Sequence, residues 1–117
     1  MNFEKFNEEV FYSKDVITSV NQESIDFLKS KAMKNSRKRA RLCTHPGVND
    51  LLHEMLIVHF KGLYVQPHKH IGKSESFHMI EGELSVVIFD ESGKILQVIH
   101  MGEPASGRMF YYRLSES

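Results

Sequence analysis

One stretch of the sequence, from Gly62 to Gly82, limits what the chain can fold into more than any other. It reads GLYVQPHKHIGKSESFHMIEG. His68 and His70 stand two positions apart, so on an extended strand both imidazoles leave the same face. Beyond a short glycine-containing turn, Glu75 begins a second apolar run that can fold back antiparallel and bring its carboxylate opposite the histidines.

This arrangement of side chains predicts a metal site. Two imidazoles and one carboxylate can hold a first-row divalent ion and leave coordination positions open. We therefore predict that His68, His70 and Glu75 bind a divalent metal, with zinc, iron, manganese and nickel as candidates. The alternative is that two polar histidines lie on a surface strand beside a glutamate in a turn.

The spacing of these residues also resembles a known motif. Five residues separate Gly62 from His68, four separate His70 from Glu75, and six separate Glu75 from Gly82. This resembles the first signature motif of the cupin superfamily at every fixed position. The phrases RKRARLCTHPGVNDLLHEMLIV and PHKHIGKSESFHMIEGELSVVIFDESGKI are similar to the WbuC-type cupin-fold metalloproteins, small bacterial proteins associated with surface-polysaccharide gene clusters.

The resemblance covers residues 20–114 and implies a fold. The chain is expected to be mainly β, a cupin (RmlC-like jelly-roll) β-barrel with a short N-terminal helix. Residues 1–117 would form a single domain, with 1–38 as an N-terminal strand and helix extension and 39–114 as the barrel. The family's second motif, a Pro-x-Gly turn followed by a fourth metal ligand, has no counterpart after His100. We therefore expect the C-terminal strands of the barrel to be truncated.

Composition indicates which classes of partner the protein binds and in which cellular compartment it lies. The chain has 15 basic and 15 acidic residues, so it carries no net charge before its 7 histidines are counted. This balance predicts no nucleic-acid partner. The one cysteine, Cys43, cannot form an internal disulfide, and no apolar run has membrane-spanning length. The sequence therefore predicts a cytoplasmic protein without a membrane partner.

The N-terminal third contains one predicted helix. The aromatic residues of 1–12 are compatible with a short helix that turns into a strand, but the pattern is too brief to decide. The β-branched run 15–20 can form a strand. Ser19 or Asn21 can cap a helix that continues to about Lys34. That helix has one apolar stripe, formed by Ile25, Leu28 and Ala32.

A basic run, KNSRKRAR, follows the helix at residues 34–41. Cations at a helix end complement its dipole, so we prefer a solvated helix end to a nucleic-acid patch. If the chain then extends, alternation separates two faces, one with Arg39, Arg41, Cys43 and His45 and the other with Ala40, Leu42 and Thr44. Guanidinium groups suit phosphates and carboxylates, so Arg39 and Arg41 are predicted to bind an anionic substrate. The alternative is that they pair with surface carboxylates.

Three further runs predict strands. Residues 51–60, LLHEMLIVHF, are expected to form a strand that is buried on both faces or nearly so. Residues 83–90 and 95–101 flank a polar turn with a glycine and predict a hairpin. A last strand is expected within 108–114.

The resemblance implies a function in surface-polysaccharide (lipopolysaccharide or O-antigen) biosynthesis. The chain would bind or act on a sugar or sugar-nucleotide intermediate, in the manner of an isomerase or epimerase. Such a reaction needs a general base, for which His45 is the candidate catalytic residue. Two alternatives stay open: a dioxygenase-like cupin with a non-haem metal, and a non-enzymatic ligand-binding or sensory cupin.

A homodimer is also expected. Several strand runs need a covering apolar layer, because burial stabilises apolar side chains, and these runs contain Val86, Ile88, Ile95, Val98, Phe110 and Tyr112. A partner could supply that layer by placing its N-terminal segment, with Phe3, Phe6 and Phe11, across the neighbour's open sheet edge.

Overall fold

The computed structural model describes residues 3–62, 65 and 73–115, which form eight β-strands, one α-helix and a short 3-10 helix. The prediction of a mainly β chain is confirmed. The described strands pair as three separate sheets and close no barrel among themselves. The chain divides into two compact units, residues 1–66 and 67–117, each of which is described by itself.

The first unit is a four-stranded sheet with one helix. Its strands follow one another in chain order: β1 (Phe3–Lys5), β2 (Val10–Ser13), β3 (Arg39–Cys43) and β4 (Met55–His59). β2 and β3 are parallel, and the other neighbours are antiparallel. Parallel neighbours need a long crossover, which the helix α1 (Gln22–Lys34) supplies. The open question at the N-terminus is thereby resolved in favour of two strands.

The helix begins and ends at residues whose side chains satisfy its free backbone groups. The Asn21 side chain accepts hydrogen bonds from the backbone N–H groups of Glu23 and Ser24, and the Ser24 hydroxyl accepts one from the Asn21 N–H. This capping box confirms Asn21 as the start. After the last turn the Asn35 carboxamide donates to the carbonyls of Lys31, at 3.1 Å, and Arg39, at 2.6 Å. Asn35 therefore ties the helix end to the start of β3.

The core of this unit lies between the helix and one face of the sheet. Its buried members are at most 3% exposed, and they are Phe11, Leu28, Ala32, Ala40 and Leu42. Leu28 and Ala32 confirm the predicted helical stripe, of which Ile25 is half-buried. Ala40 and Leu42 face the core, as the alternation expected from Arg39 predicts, but this alternation of burial ends at Cys43, which is buried as well.

One strand prediction is wrong, and another is confirmed only in part. Residues 15–20 form bends and irregular backbone, and Val16 and Ile17 are exposed. A β-branched run becomes a strand only where a neighbouring strand can pair with it, and this segment instead leads into α1. The apolar run 51–60 contains β4 only over Met55–His59 and is not buried on both faces. Its residues alternate, because α1 covers one face of the sheet: Leu56 and Val58 pack on the core, whereas Met55 and Ile57 are exposed.

The second unit contains two antiparallel strand pairs. They are β5 (Glu75–His78) with β8 (Tyr111–Leu114), and β6 (Glu83–Phe89) with β7 (Ile95–Gly102). The hairpin predicted at 83–101 is confirmed. Its turn is closed by the Asp90 carboxylate, which accepts hydrogen bonds from the backbone N–H groups of Ser92 and Lys94 at 2.8 and 2.9 Å. In the described part of the chain, no helix has the length and apolar character needed to cross a membrane.

Candidate functional site

Glu75, the predicted carboxylate ligand, is the first residue of β5 and is half-buried. The Tyr112 hydroxyl donates a hydrogen bond to its Oε1 atom at 2.9 Å. Tyr112 lies directly opposite Phe77, and the two rings stack with centroids 5.9 Å apart. Alternation along β5 therefore places Glu75, Phe77 and Tyr112 on one face, and His78 points to the other, where its ring packs against Tyr111.

The surroundings keep the Tyr112 phenol in its protonated, donating form. Burial raises the pKa of Tyr112, and the hydrogen bond to Glu75 and its negative charge raise this pKa further. A phenol that stays protonated donates to the carboxylate throughout the physiological pH range. Tyr112 was not predicted as part of the site, because the pairing of β5 with β8 cannot be read from the sequence.

The other two predicted metal ligands, His68 and His70, lie outside the described residues. Among the residues that are described, no three His, Cys, Asp or Glu side chains cluster closely enough to hold a metal ion. The metal site therefore stays a prediction. Two further positions of the motif are described: Gly62 and Gly82 each have φ of +85°. This left-handed conformation is one that glycine adopts at little cost, so both positions fit the turns that bracket the motif.

Arg39 forms an ion pair within its own unit. Its Nε donates to Glu9 Oε1 at 2.7 Å, and Arg37 Nη1 donates to Glu9 Oε2 at 3.1 Å. The Glu9 carboxylate thus joins two guanidinium groups, as a bound anion would. For Arg39 the structure shows the alternative considered from the sequence, a pairing with a carboxylate of the protein.

Arg41 is the more accessible of the two predicted anion-binding residues. It is exposed in the middle of β3, between Val10 of β2 and Ile57 of β4. Among the described residues its guanidinium forms no hydrogen bond or ion pair. Its neighbour Cys43 is buried; burial raises the pKa of that thiol, and the charge of Arg41 only partly opposes the effect. The thiol therefore stays protonated, which favours a packing role over a nucleophilic one.

His45, the candidate general base, is 6% exposed. Its Nδ1 lies 3.0 Å from the Glu54 carbonyl oxygen and 3.1 Å from the Glu54 amide nitrogen, so it either donates to the first or accepts from the second. The ring stacks on His53, with centroids 4.2 Å apart, and meets the edge of Tyr12. Only Nε2 is left for proton exchange, and a substrate would have to reach it in a buried setting.

One further histidine, His59, lies beside Arg39 and was given no role from the sequence. It stands opposite Arg39 in the β3–β4 register. Partial burial lowers the pKa of His59, and the charge of Arg39 lowers it further, whereas Glu9 raises it. The imidazole is therefore neutral at pH 7. Only the strand register reveals this neighbour, and the sequence alone does not fix that register.

Comparison with known proteins gives a family but no function. The profile of one family, described as a domain of unknown function (DUF6016), matches residues 20–101. The match covers more than half of the chain, which therefore belongs to this family. Neither a curated protein nor a solved structure matches the chain.

Proposed function

We propose that this member of the DUF6016 family is a metal-binding cupin that handles an anionic carbohydrate, with His68, His70 and Glu75 as the metal ligands. The observation that carries the proposal is the motif spacing together with the placement of Glu75. That carboxylate lies half-buried on a strand and accepts a hydrogen bond from Tyr112, as metal-binding carboxylates commonly do from their neighbours. The same proposal includes the cupin fold, a jelly-roll β-barrel.

The proposed residues have two separate roles, metal binding and anion binding. A bound divalent ion would supply Lewis acidity toward a carbonyl or hydroxyl oxygen of the ligand. Arg41 would hold the anionic group, since its exposed guanidinium is available for a bidentate contact. Arg39 would assist, but only by exchanging Glu9 for the ligand or by sharing its charge with both.

An isomerase- or epimerase-like reaction is the proposed chemistry, and His45 is its candidate base. Proton transfer would use Nε2, because Nδ1 is engaged by the Glu54 backbone. The alternatives are oxygen chemistry at a non-haem metal and ligand binding without turnover. Oxygen consumption would distinguish the first, and binding without conversion of any nucleotide sugar would distinguish the second. We place the protein in the cytoplasm, where sugar nucleotides would be its substrates.

The carbohydrate part of the proposal is tested by a thermal-shift screen of metal-loaded protein with nucleotide sugars. We expect at least one of them to raise the melting temperature. Replacing Arg41 with glutamine should then weaken that ligand's affinity about 10- to 100-fold, because a hydrogen bond to a charged group contributes about 1.5–3 kcal/mol. Isothermal titration would measure the change.

The matched control for that variant is Arg113→Gln, which removes an exposed guanidinium bonded only to Ser115 in the described chain. It should bind the ligand as the wild type does. If no nucleotide sugar shifts the melting temperature, the carbohydrate assignment is wrong. If Arg41→Gln binds as tightly as the control, the role of Arg41 is wrong.

We also propose that the protein is a homodimer. One face of the β6–β7 hairpin bears neighbouring apolar side chains that are 40–62% exposed, namely Val87, Phe89, Ile95 and Val98. None of the four is charged, so two copies can meet there without like-charge repulsion, and burying this surface stabilises the pair.

The expected result is a dimer by light scattering at micromolar concentration. Val98→Glu should shift the protein to a monomer, because it would bury an unpaired carboxylate in the contact. Leu51→Glu changes an apolar residue that is fully exposed in the other unit, and this control should stay dimeric. A wild-type protein that is monomeric under these conditions would rule the dimer out.

A further inference from the structure

We infer that Tyr112 is a positioning residue for the metal site: its hydroxyl fixes the Glu75 carboxylate in the orientation that binds the ion. This inference rests on the proposed function and adds a residue that lies far from the motif in sequence. It starts from the 2.9 Å hydrogen bond between Tyr112 Oη and Glu75 Oε1.

Three features of the strand pair fix the Tyr112 side chain. The register of β5 with β8 places Tyr112 directly opposite Phe77, and Glu75 opposite Leu114. A diagonal neighbour in an antiparallel pair lies within reach of a long aromatic side chain, which is how the phenol reaches Glu75. The ring is further held by its stack on Phe77, at an interplanar angle of 12°. The hydroxyl is therefore presented to Glu75 by a rigid element.

A carboxylate held in this way loses less rotational freedom when it binds an ion. Partners that orient metal ligands commonly contribute 10- to 100-fold in affinity, on the order of what one well-placed hydrogen bond to a charged group supplies. Tyr112 is half-buried and the bond is partly shielded from water. The hydroxyl is thus expected to act on metal affinity through Glu75 and not through the stability of the strand pair alone.

The adjacent tyrosine offers a matched control. Tyr111 lies on the opposite face of β8, is 43% exposed, and its ring packs against His78. Tyr112→Phe and Tyr111→Phe remove the same atom from neighbouring positions of one strand. The first removes the donor to Glu75, and the second leaves that donor in place.

The test is a titration of the full chain with Zn²⁺ and with Mn²⁺, each measured by competition with a fluorescent chelator. Tyr112→Phe should weaken the binding of at least one of these ions about 10- to 100-fold, and Tyr111→Phe should not change it. Equal metal affinity in Tyr112→Phe and wild type would overturn the inference.

A double-mutant cycle with Glu75→Ala separates a positioning role from a structural one, because alanine has no side-chain oxygen to accept the Tyr112 hydroxyl. In the Glu75→Ala background, adding Tyr112→Phe should leave the already weakened metal affinity unchanged, because the two residues act through one interaction. If Tyr112→Phe costs the same factor with and without Glu75, Tyr112 acts through the fold and the inference is wrong. A wild-type chain that binds neither ion at millimolar concentration would instead refute the proposed function itself.

Discussion

Replacing both His68 and His70 with alanine is expected to lower the affinity for a divalent metal by more than about 100-fold. Loss of a group that only orients a ligand costs about 10- to 100-fold, and this variant removes two of the three proposed ligands themselves. Glu75 alone would remain, and one carboxylate does not hold a first-row ion against water. The measurement is the metal content of protein purified without chelators, followed by titration of the metal-free protein.

The control for this variant removes two histidines that the motif does not use. His78 points away from Glu75 on β5, and His100 is bonded through Nδ1 to the Ser85 hydroxyl at 2.9 Å. The variant His78→Ala/His100→Ala should bind metal as the wild type does. Full metal occupancy after loss of His68 and His70 would contradict the assignment, as would an equal loss in the control.

Phe11→Ala is expected to lower the free energy of unfolding of the first unit by about 3–5 kcal/mol. Phe11 is 2% exposed, and its ring meets the rings of Phe3 and Phe27 with centroids 5.7 and 5.1 Å apart. Alanine would leave a cavity between β2 and the helix that the rigid sheet cannot close. Urea unfolding followed by circular dichroism of the helix would measure the loss, because α1 belongs to this unit.

Phe6→Ala is the matched control, since Phe6 lies in the same segment but is 70% exposed. Among the described residues its ring has one aromatic contact, with Tyr12 at 6.1 Å. We expect this variant to lose less than about 1 kcal/mol. A small loss for Phe11→Ala, comparable to that for Phe6→Ala, would mean that the N-terminal strands are not part of the core.

The same observation revises how a dimer would form. The sequence suggested that the N-terminal segment crosses to the sheet edge of a partner, but β1 and β2 pair within the sheet of their own chain. Phe11 fills the core between that sheet and α1. Exchange of the segment is therefore not needed to bury Phe11, and the hairpin face with Val87 and Val98 is the better candidate contact.

Local signals in the sequence were sufficient where the interactions that form an element lie within that element. The helix was predicted from a capping residue, Asn21, and from the spacing of Leu28 and Ala32. The β6–β7 hairpin was predicted from two β-branched runs around a polar turn, whose side chains close the turn by hydrogen bonds within five residues. Both depend on interactions between residues that are near in the chain.

The predictions failed where the outcome depends on a distant partner. Residues 15–20 have the composition of a strand but pair with no strand among the described residues. The run 51–60 is covered on one face because a single helix packs there. The pairing of Arg39 was likewise hidden, since Glu9 lies 30 positions earlier and reaches it only when β2 aligns with β3.

For the candidate site, the sequence by itself determined which residue types can bind a metal or an anion, because the spacing of His68, His70 and Glu75 is a property of the chain. Only the tertiary structure decided which of the predicted side chains already pair with another residue of the protein, which stay exposed, and which have their orientation fixed by a hydrogen bond. It paired Arg39 with Glu9, left Arg41 exposed, and placed the Tyr112 hydroxyl on Glu75 across 37 residues of chain. Such long-range hydrogen bonds depend on strand register, and register is set by the packing of whole faces rather than by local sequence.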